Sequence, residues 1–243
     1  MNIIACDFDG TLFQENGIGV SDEDKAAIVE FRKGGGLFGI ATGRDYTAAG
    51  EVFDALPDLL DFLICSTGAI ICDKSRNIVF QVKSYEVDAI CDIADYSLKH
   101  NLNWFCVINE DKRYYLDNCV AEYKKLSEFN NCTVWFKSIE DAENVENYIR
   151  KHHSEHFTFF RNFECIEITP LGVTKATAVR KLSTKFDIPS VFTIGDGTTD
   201  IPMVTEFNGF AVENANILLK NVAKHRCNRV CDMIDMILND RIH

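Results

Sequence analysis

The run Ile3-Ile4-Ala5-Cys6, which passes without a break into Asp7-Phe8-Asp9-Gly10-Thr11-Leu12, constrains this chain more than any other stretch. A short apolar run that ends in acids and a glycine reads as a strand covered on both faces, the kind found in parallel sheets flanked by helices. Its acids then lie at the strand's carboxyl end, the edge at which open α/β sheets bind ligands. Residues two apart on a strand share a side, so Asp7 and Asp9 are expected to face one space if the strand geometry persists. Two carboxylates that close repel and need a cation or a shared proton. An ionised acid there can attack phosphorus, and a partly protonated neighbour can give its proton to the leaving oxygen. Gly10 allows a tight exit from the strand. The same letters also fit an ordinary acidic turn, solvated or calcium-like.

Composition narrows the partners. A chain of 243 residues, 47% of them hydrophobic, can bury one good core or two small ones. A formal charge of -12 argues against nucleic acid, whose binders cluster Lys and Arg. A small phosphorylated molecule is compatible, provided its site supplies local positive charge against the overall field. The ten cysteines fall mostly in apolar runs, with no C-x-x-C pair, and read as free thiols in a reducing compartment. No apolar run approaches the roughly 20 residues a membrane helix needs, and the amino terminus carries no secretory pattern. A soluble, cytoplasmic protein without membrane contact is expected.

After the acidic turn, Ser21 followed by Asp22, Glu23 and Asp24 marks a helix start, which Gly34-Gly35-Gly36 ends. Leu37 to Ala41 reads as a second parallel strand, closing in Thr42-Gly43-Arg44. A hydroxyl and a guanidinium at that edge can hold phosphate oxygens, although Thr42 could equally cap the next helix. Phe62 to Cys65 reads as a third strand, and the apolar runs Ala69 to Cys72 and Ile78 to Val82 as a hairpin. From about Ser84 to Arg161 the character changes to alternating helical and strand patterns. Val87 to Leu98, Val120 to Phe129 and Val145 to Ile149 read as helical, and Trp104 to Ile108, Tyr114 to Leu116, Thr133 to Phe136 and Phe157 to Phe160 as strands. This predicts a separate small α+β module with helices on one face of a sheet. Its Trp104, Tyr114, Tyr115, Trp135 and Phe136 are either core or a substrate wall. His152, His153 and His156 could suggest a metal, but on a charged helix end they are expected to be solvated or dipole-favoured groups.

Cys165 to Ile168 alternates like a strand, and Thr169 to Thr174 turns into a helix whose buried face is Val173, Ala176, Val179, Leu182 and Phe186. Lys175 stands off that stripe, an ordinary surface cation or a balance for the Asp7 carboxylate and a bound phosphate. The strand Ser190 to Ile194 ends in Gly195-Asp196-Gly197-Thr198-Thr199-Asp200. Acids there can converge with Asp7 and Asp9 on one hard cation, which suits Mg²⁺, while Asp200 could alternatively cap a helix.

The words DFDGTL, Thr42-Gly43-Arg44, Gly-Val-Thr-Lys ending at Lys175, and Gly195-Asp196-x-x-x-Asp200 occur in one order that resembles the four motifs of the haloacid dehalogenase superfamily. The resemblance is to the Cof-like, sugar-phosphatase-like branch, subfamily IIB, with departures at Thr67, Ala176 and Thr199. It implies an α/β protein: a Rossmann-like parallel-sheet core of residues 1–82 and 165–243, with an inserted type II cap over 83–164. It implies Asp7 as nucleophile and Asp9 as acid and base. Thr42, Gly43, Arg44 and Lys175 would lie around the phosphate, and Asp7, Asp9 through its backbone carbonyl, Asp196 and Asp200 around Mg²⁺. The activity implied is removal of phosphate from a small phosphorylated metabolite. A phosphomutase of the same superfamily, a non-catalytic phosphate-binding module and a receiver-like signalling domain are the alternatives.

Overall fold

Ile3, Ile4, Ala5 and Cys6 are fully buried on β1 (Asn2–Cys6), an interior strand covered on both faces. The computed structural model describes residues 1–13, 19–116 and 125–241. Parallel neighbours of β1 are β2 (Leu37–Ala41) and, from the far end of the chain, β11 (Ser190–Gly195). Outward from β2 lie β3 (Phe62–Cys65), β4 (Ile70–Asp73) and β5 (Ile78–Gln81), the last two an antiparallel hairpin as expected. Outward from β11 lie β12 (Asn208–Val212) and β13 (His225–Cys227), which completes eight strands. Helices α1 (Asp22–Lys33) and α2 (Ala49–Ala55) follow β1 and β2 in the chain. Ser21 caps α1 as its sequence predicts, accepting from the Asp24 amide at 3.1 Å.

Between β5 and the return to this sheet, the chain builds a second one. Its strands β6 (Leu102–Asn109), β7 (Lys112–Tyr115), β8 (Asn131–Phe136), β9 (Phe157–Asn162) and β10 (Cys165–Pro170) are antiparallel in the order β7-β6-β8-β10-β9. Helices α3 (Val87–Ser97) and α4 (Ile139–His152) cover one face, packing Ile90, Ile93, Val145 and Ile149 against Phe105, Val134 and Ile166 in a core separate from that of the larger sheet.

Four expectations change. Strand β10 was expected to return to the larger sheet but pairs with β8 and β9, so the smaller sheet extends to Pro170. Its alternating pattern, with Ile166 and Ile168 buried, is that of a sheet covered on one face. His153 is buried, not solvated, with Nε2 2.8 Å from the Asp92 carboxylate. Phe186 lies just past the end of its helix and is half-exposed. Of the helix expected over Val120 to Phe129, residues 120–124 lie outside the described set, and Phe129 forms an isolated bridge with Ser84.

From β10 the chain turns into α5 (Lys175–Lys185), and after β11 come α6 (Ile201–Glu206), α7 (Ile217–Val222) and α8 (Val230–Leu238). The first residue of α5 is fixed against the loop after β3. Gly68 has φ +107°, and a Cβ there would stand 2.2 Å from the Thr174 carbonyl oxygen. Gly68→Ala therefore combines backbone strain with a clash against main chain, a cost of about 2 kcal/mol. Thermal melting should show Tm lowered by about 5 °C; an unchanged Tm would mean that α5 is not anchored there.

Candidate active site

The carboxyl ends of β11, β1 and β2 lie side by side, which brings Asp196, Asp7 and Thr42 to one edge. The ladder runs on one residue past the strands: the Asp7 amide donates to the Ile194 carbonyl, and the Thr42 amide to that of Ile64, both at 2.9 Å. Lys175, the first residue of α5, is 1% exposed and reaches into this edge from above the sheet. Its Nζ donates to Asp7 Oδ1 and to Asp200 Oδ1, each at 2.7 Å. The other oxygen of Asp200 accepts from the amides of Asp196 (3.1 Å) and Gly197 (2.9 Å), so one carboxylate both shapes the loop after β11 and holds the lysine. Asp200 stands at the N-cap position of α6 but makes no side-chain capping bond to that helix, binding backward onto the loop instead.

Thr11 completes the inner ring by donating to Asp7 Oδ2 at 3.0 Å, and it also lies 3.4 Å from Asp196 Oδ1. Gly10 is required here, since at φ +77° a Cβ would sit 2.5 Å from Asp196 Oδ2. Asn214 donates to the Gly10 carbonyl at 2.8 Å and pins the turn. Thr11 belongs to the DFDGTL motif, and Asn214 to the run Gly209 to Ala215 that resembles the strand and turn closing such cores, but nothing in the sequence singles out either for this contact.

Asp7, Asp196 and Asp200 offer one oxygen each within 4.8 Å of one another. Charge repulsion at that distance costs about 3 to 4 kcal/mol per pair at an effective dielectric of about 20. Burial, then the Asp200 charge, raises the Asp7 carboxyl to about 7 against the pull of Lys175 and Thr11. Burial, then Asp7, raises Asp196 likewise to about 7. Asp200 is also pushed up, chiefly by burial. Burial alone would lower Lys175, yet Asp200 and Asp7 outweigh it and hold the ammonium well above the usual lysine value. Three acids facing one cation leave a site two charges short. An all-oxygen donor set of this kind fits a hard divalent ion such as Mg²⁺.

The remaining expected residues divide. Thr42 is buried, and its hydroxyl oxygen accepts from the Arg44 amide at 3.1 Å. The Asp9 side chain does not join the three-acid group: Arg44 clasps it with two bonds of 2.9 and 2.7 Å and gives a third, of 2.7 Å, to Glu51. Arg44 thus holds carboxylates where phosphate oxygens were expected, and its guanidinium lies over the Phe8 ring. Gly43 stands against the carboxylate of Glu167.

Above Arg44 and Gly43 is a cavity of about 400 Å³ whose roof is the open face of the smaller sheet. Trp104, Tyr115 and Trp135 line it, the Trp104 ring centroid lying 6.3 Å from that of Tyr115 and 6.1 Å from that of Trp135. Two polar contacts across it fasten the sheets together. Arg113 of β7 binds both oxygens of buried Asp45, at 2.5 and 3.0 Å. Thr67, at φ 54°, donates to Glu167 of β10. Only the position of Thr67 stands out in the sequence; Asp45, Arg113 and Glu167 lie in no motif.

A family model described as haloacid dehalogenase-like hydrolase matches residues 4–131 and 120–233 of the chain. The chain is 31% identical over 236 residues to the 5-amino-6-(5-phospho-D-ribitylamino)uracil phosphatase YcsE of Bacillus subtilis (strain 168), with 93% of this chain and 89% of that protein covered. Among solved structures, the subclass IIB sugar phosphatase BT4131 superposes with a TM-score of 0.80 over all of both chains at 18% identity. The phosphatase-superfamily protein BT1666 from Bacteroides thetaiotaomicron gives 0.82 at 17% identity, over 100% of this chain and 96% of that one. At such identities the likeness is one of fold.

The raised carboxyls set a pH dependence. Asp7 and Asp196 titrate near 7 when folded, against an ordinary value of 3.8. Their stability contribution is therefore fully present below about pH 4 and is lost as the pH rises through about 7 in metal-free protein. Mg²⁺ should restore it, raising Tm by several degrees at pH 8 and far less at pH 5, where protons occupy the same oxygens. Asp196→Asn should lose the increment at pH 8 and melt above the metal-free parent there. Equal increments at both pH values would show that the ion binds elsewhere.

Proposed function

The chain belongs to the haloacid dehalogenase-like hydrolase family, and we propose that it is a Mg²⁺-dependent phosphatase working through an aspartyl-phosphate on a small phosphorylated metabolite. The observation that carries this reading is the buried Lys175 ammonium shared by Asp7 and Asp200, with Asp196 close enough to join both acids at one ion. Asp7, Asp196, Asp200 and the backbone carbonyl of Asp9 would hold the cation. When bound, it supplies charge that draws the phosphate in and lets Asp7 stay ionised at neutral pH.

Asp7 attacks the phosphorus and the bond from phosphorus to the ester oxygen breaks. The leaving oxygen takes a proton from Asp9. A water molecule, giving its proton back to Asp9, then attacks the same phosphorus, and the Asp7 carboxylate leaves. Thr42 and Lys175 donate to the phosphoryl oxygens, positioning and neutralising the group during transfer. Arg44 steadies Asp9 at the mouth of the cavity, where the leaving group departs.

Residues 83 to 170 would serve as a cap that excludes water and selects the substrate. The relative YcsE acts, by its name, on a ribityl phosphate joined to an aminouracil. In this reading a flat group would lie against Trp104 and Trp135 in the cavity, and a short polyol phosphate would extend past Arg44 and Asp9 toward Asp7. A sugar phosphate or sugar-alcohol phosphate is therefore the substrate class.

Asp7→Asn should fold, with Tm at or above that of the metal-free parent, and lose at least about 10³-fold in phosphate release. Phosphate should be released without any bisphosphate activator, which separates hydrolysis from mutase chemistry. Trp135→Ala should raise KM about 10-fold for esters with a ring and leave acetyl phosphate unaffected. Turnover by Asp7→Asn equal to the parent's would end the aspartyl-phosphate reading.

A further inference from the structure

A second cavity, about 630 Å³ and so larger than the one over the active site, contains none of the residues assigned to phosphate or metal. Its floor is apolar, formed by Phe80 and Val82 at the end of the β4–β5 hairpin and by Val173 and Ala178 around the start of α5. Leu171, 59% exposed, adds a wall. Its rim is cationic. Helix α5 contributes Arg180, Lys181 and Lys185 there and contains no acid, in a chain whose net charge is -12. Glu206 neutralises Arg180, with a bond of 2.6 Å. Lys181 holds its ammonium 3.4 Å from the centre of the Phe80 ring, and among the described residues neither Lys181 nor Lys185 has a carboxylate partner.

An exposed apolar floor rimmed by positive charge is not needed for the solubility of an acidic protein and marks a surface suited to a ligand. Its complement is a molecule with an apolar body and one acidic head, and the volume accommodates a ligand of metabolite size. Position gives such an occupant leverage. Val82 lies on the way into the smaller sheet, and Leu171 to Val173 on the way back, so both passes between the sheets border the groove. Gly68, which packs on Thr174 just before Lys175, borders it too. We propose that this groove is an effector site for a small amphipathic anion, a carboxylate or phosphate on an apolar body, and that its occupation alters turnover at the Asp7 site. The binding half stands by itself; the turnover half rests on the phosphatase reading.

The test uses the full chain and 8-anilinonaphthalene-1-sulfonate, an apolar ring system with one anionic group, followed by fluorescence. One saturable site is expected, from which decanoate and decyl phosphate displace the dye and decanol does not. The double variant Lys181→Glu, Lys185→Glu should bind the dye at least 10-fold more weakly with Tm unchanged. Saturating decanoate should change the parent's hydrolysis of a generic phosphate ester at least 2-fold and leave the double variant's unchanged. Dye binding equal in parent and variant, or displacement by decanol as good as by decanoate, overturns the site. A rate effect that persists in the variant places the anion at the catalytic centre, and no rate effect removes the effector role; either result overturns the proposal. So does a dimer in sedimentation that the variant dissociates, because the groove would then be a face between copies. Should the phosphatase reading fail, hydrolysis is absent in every arm and the dye titration still decides the binding half.

Discussion

Lys175 between Asp7 and Asp200 joins positions 168 and 25 residues away along the chain inside a space that excludes water. A buried ion pair of this kind is weak evidence for stability, since taking charges out of water costs as much as their attraction returns. Its consequence is geometric. The ammonium can satisfy both acids only if the start of α5, the end of β1 and the loop after β11 stand in one arrangement. Losing Lys175 would leave both buried acids without their cation, so the larger sheet and the helix beside it are registered by the site they support. The same arrangement leaves the acids in excess, which is why the site suits a divalent ion and a transferable phosphate together.

The parallel core was legible because a continuous apolar run ending in acid and glycine fits few structures besides a strand covered on both faces. Asp7, Asp196 and Thr42 follow three adjacent strands, and each could be placed from its own strand. Lys175 was harder. Helical periodicity set it outside the buried stripe, which is correct for the body of α5, but a first-turn side chain points back over the preceding turn and so toward the sheet edge. Arg44 shows the limit of reading types at a spacing: a guanidinium suits phosphate and carboxylate equally, and only the fold reveals that Asp9 and Glu51 are within its reach. Glu167 and Arg113 could not be singled out at all, because their partners Thr67 and Asp45 are 100 and 68 residues away.

The smaller sheet carries two messages in one period-two pattern. Phe105, Val107, Val134, Phe136, Ile166 and Ile168 point to the helices, while Trp104, Cys106, Thr133, Trp135, Cys165 and Glu167 point to the cavity. The question of whether the aromatics are core or wall thus has both answers. Strand parity separates Trp104, Tyr115 and Trp135 from Phe136 and Tyr114, which packs against the helix-side core. The same parity identifies β10 as part of this sheet, since a strand bound for the middle of the parallel core would be apolar at every position. His153 went unread for a related reason: a histidine at a helix end is usually wet, and here Asp92 on the neighbouring helix draws it inward.

The contacts that seat the smaller sheet over the active site are polar. Arg113 with Asp45, Thr67 with Glu167, and the Thr47 hydroxyl on the Asp111 carbonyl at 3.1 Å replace the continuous apolar packing that each sheet keeps to itself. Such contacts contribute about 1 to 3 kcal/mol each at most, and water can take over either partner when they part. An apolar seam of the same extent would hold the two sheets permanently together, whereas this one can open at modest cost. A cavity that must take in an ester and release both an alcohol and phosphate needs a seat of that strength. The polar seat holds Trp104 and Trp135 above Gly43 and Arg44 without an apolar seam that would bar them from parting.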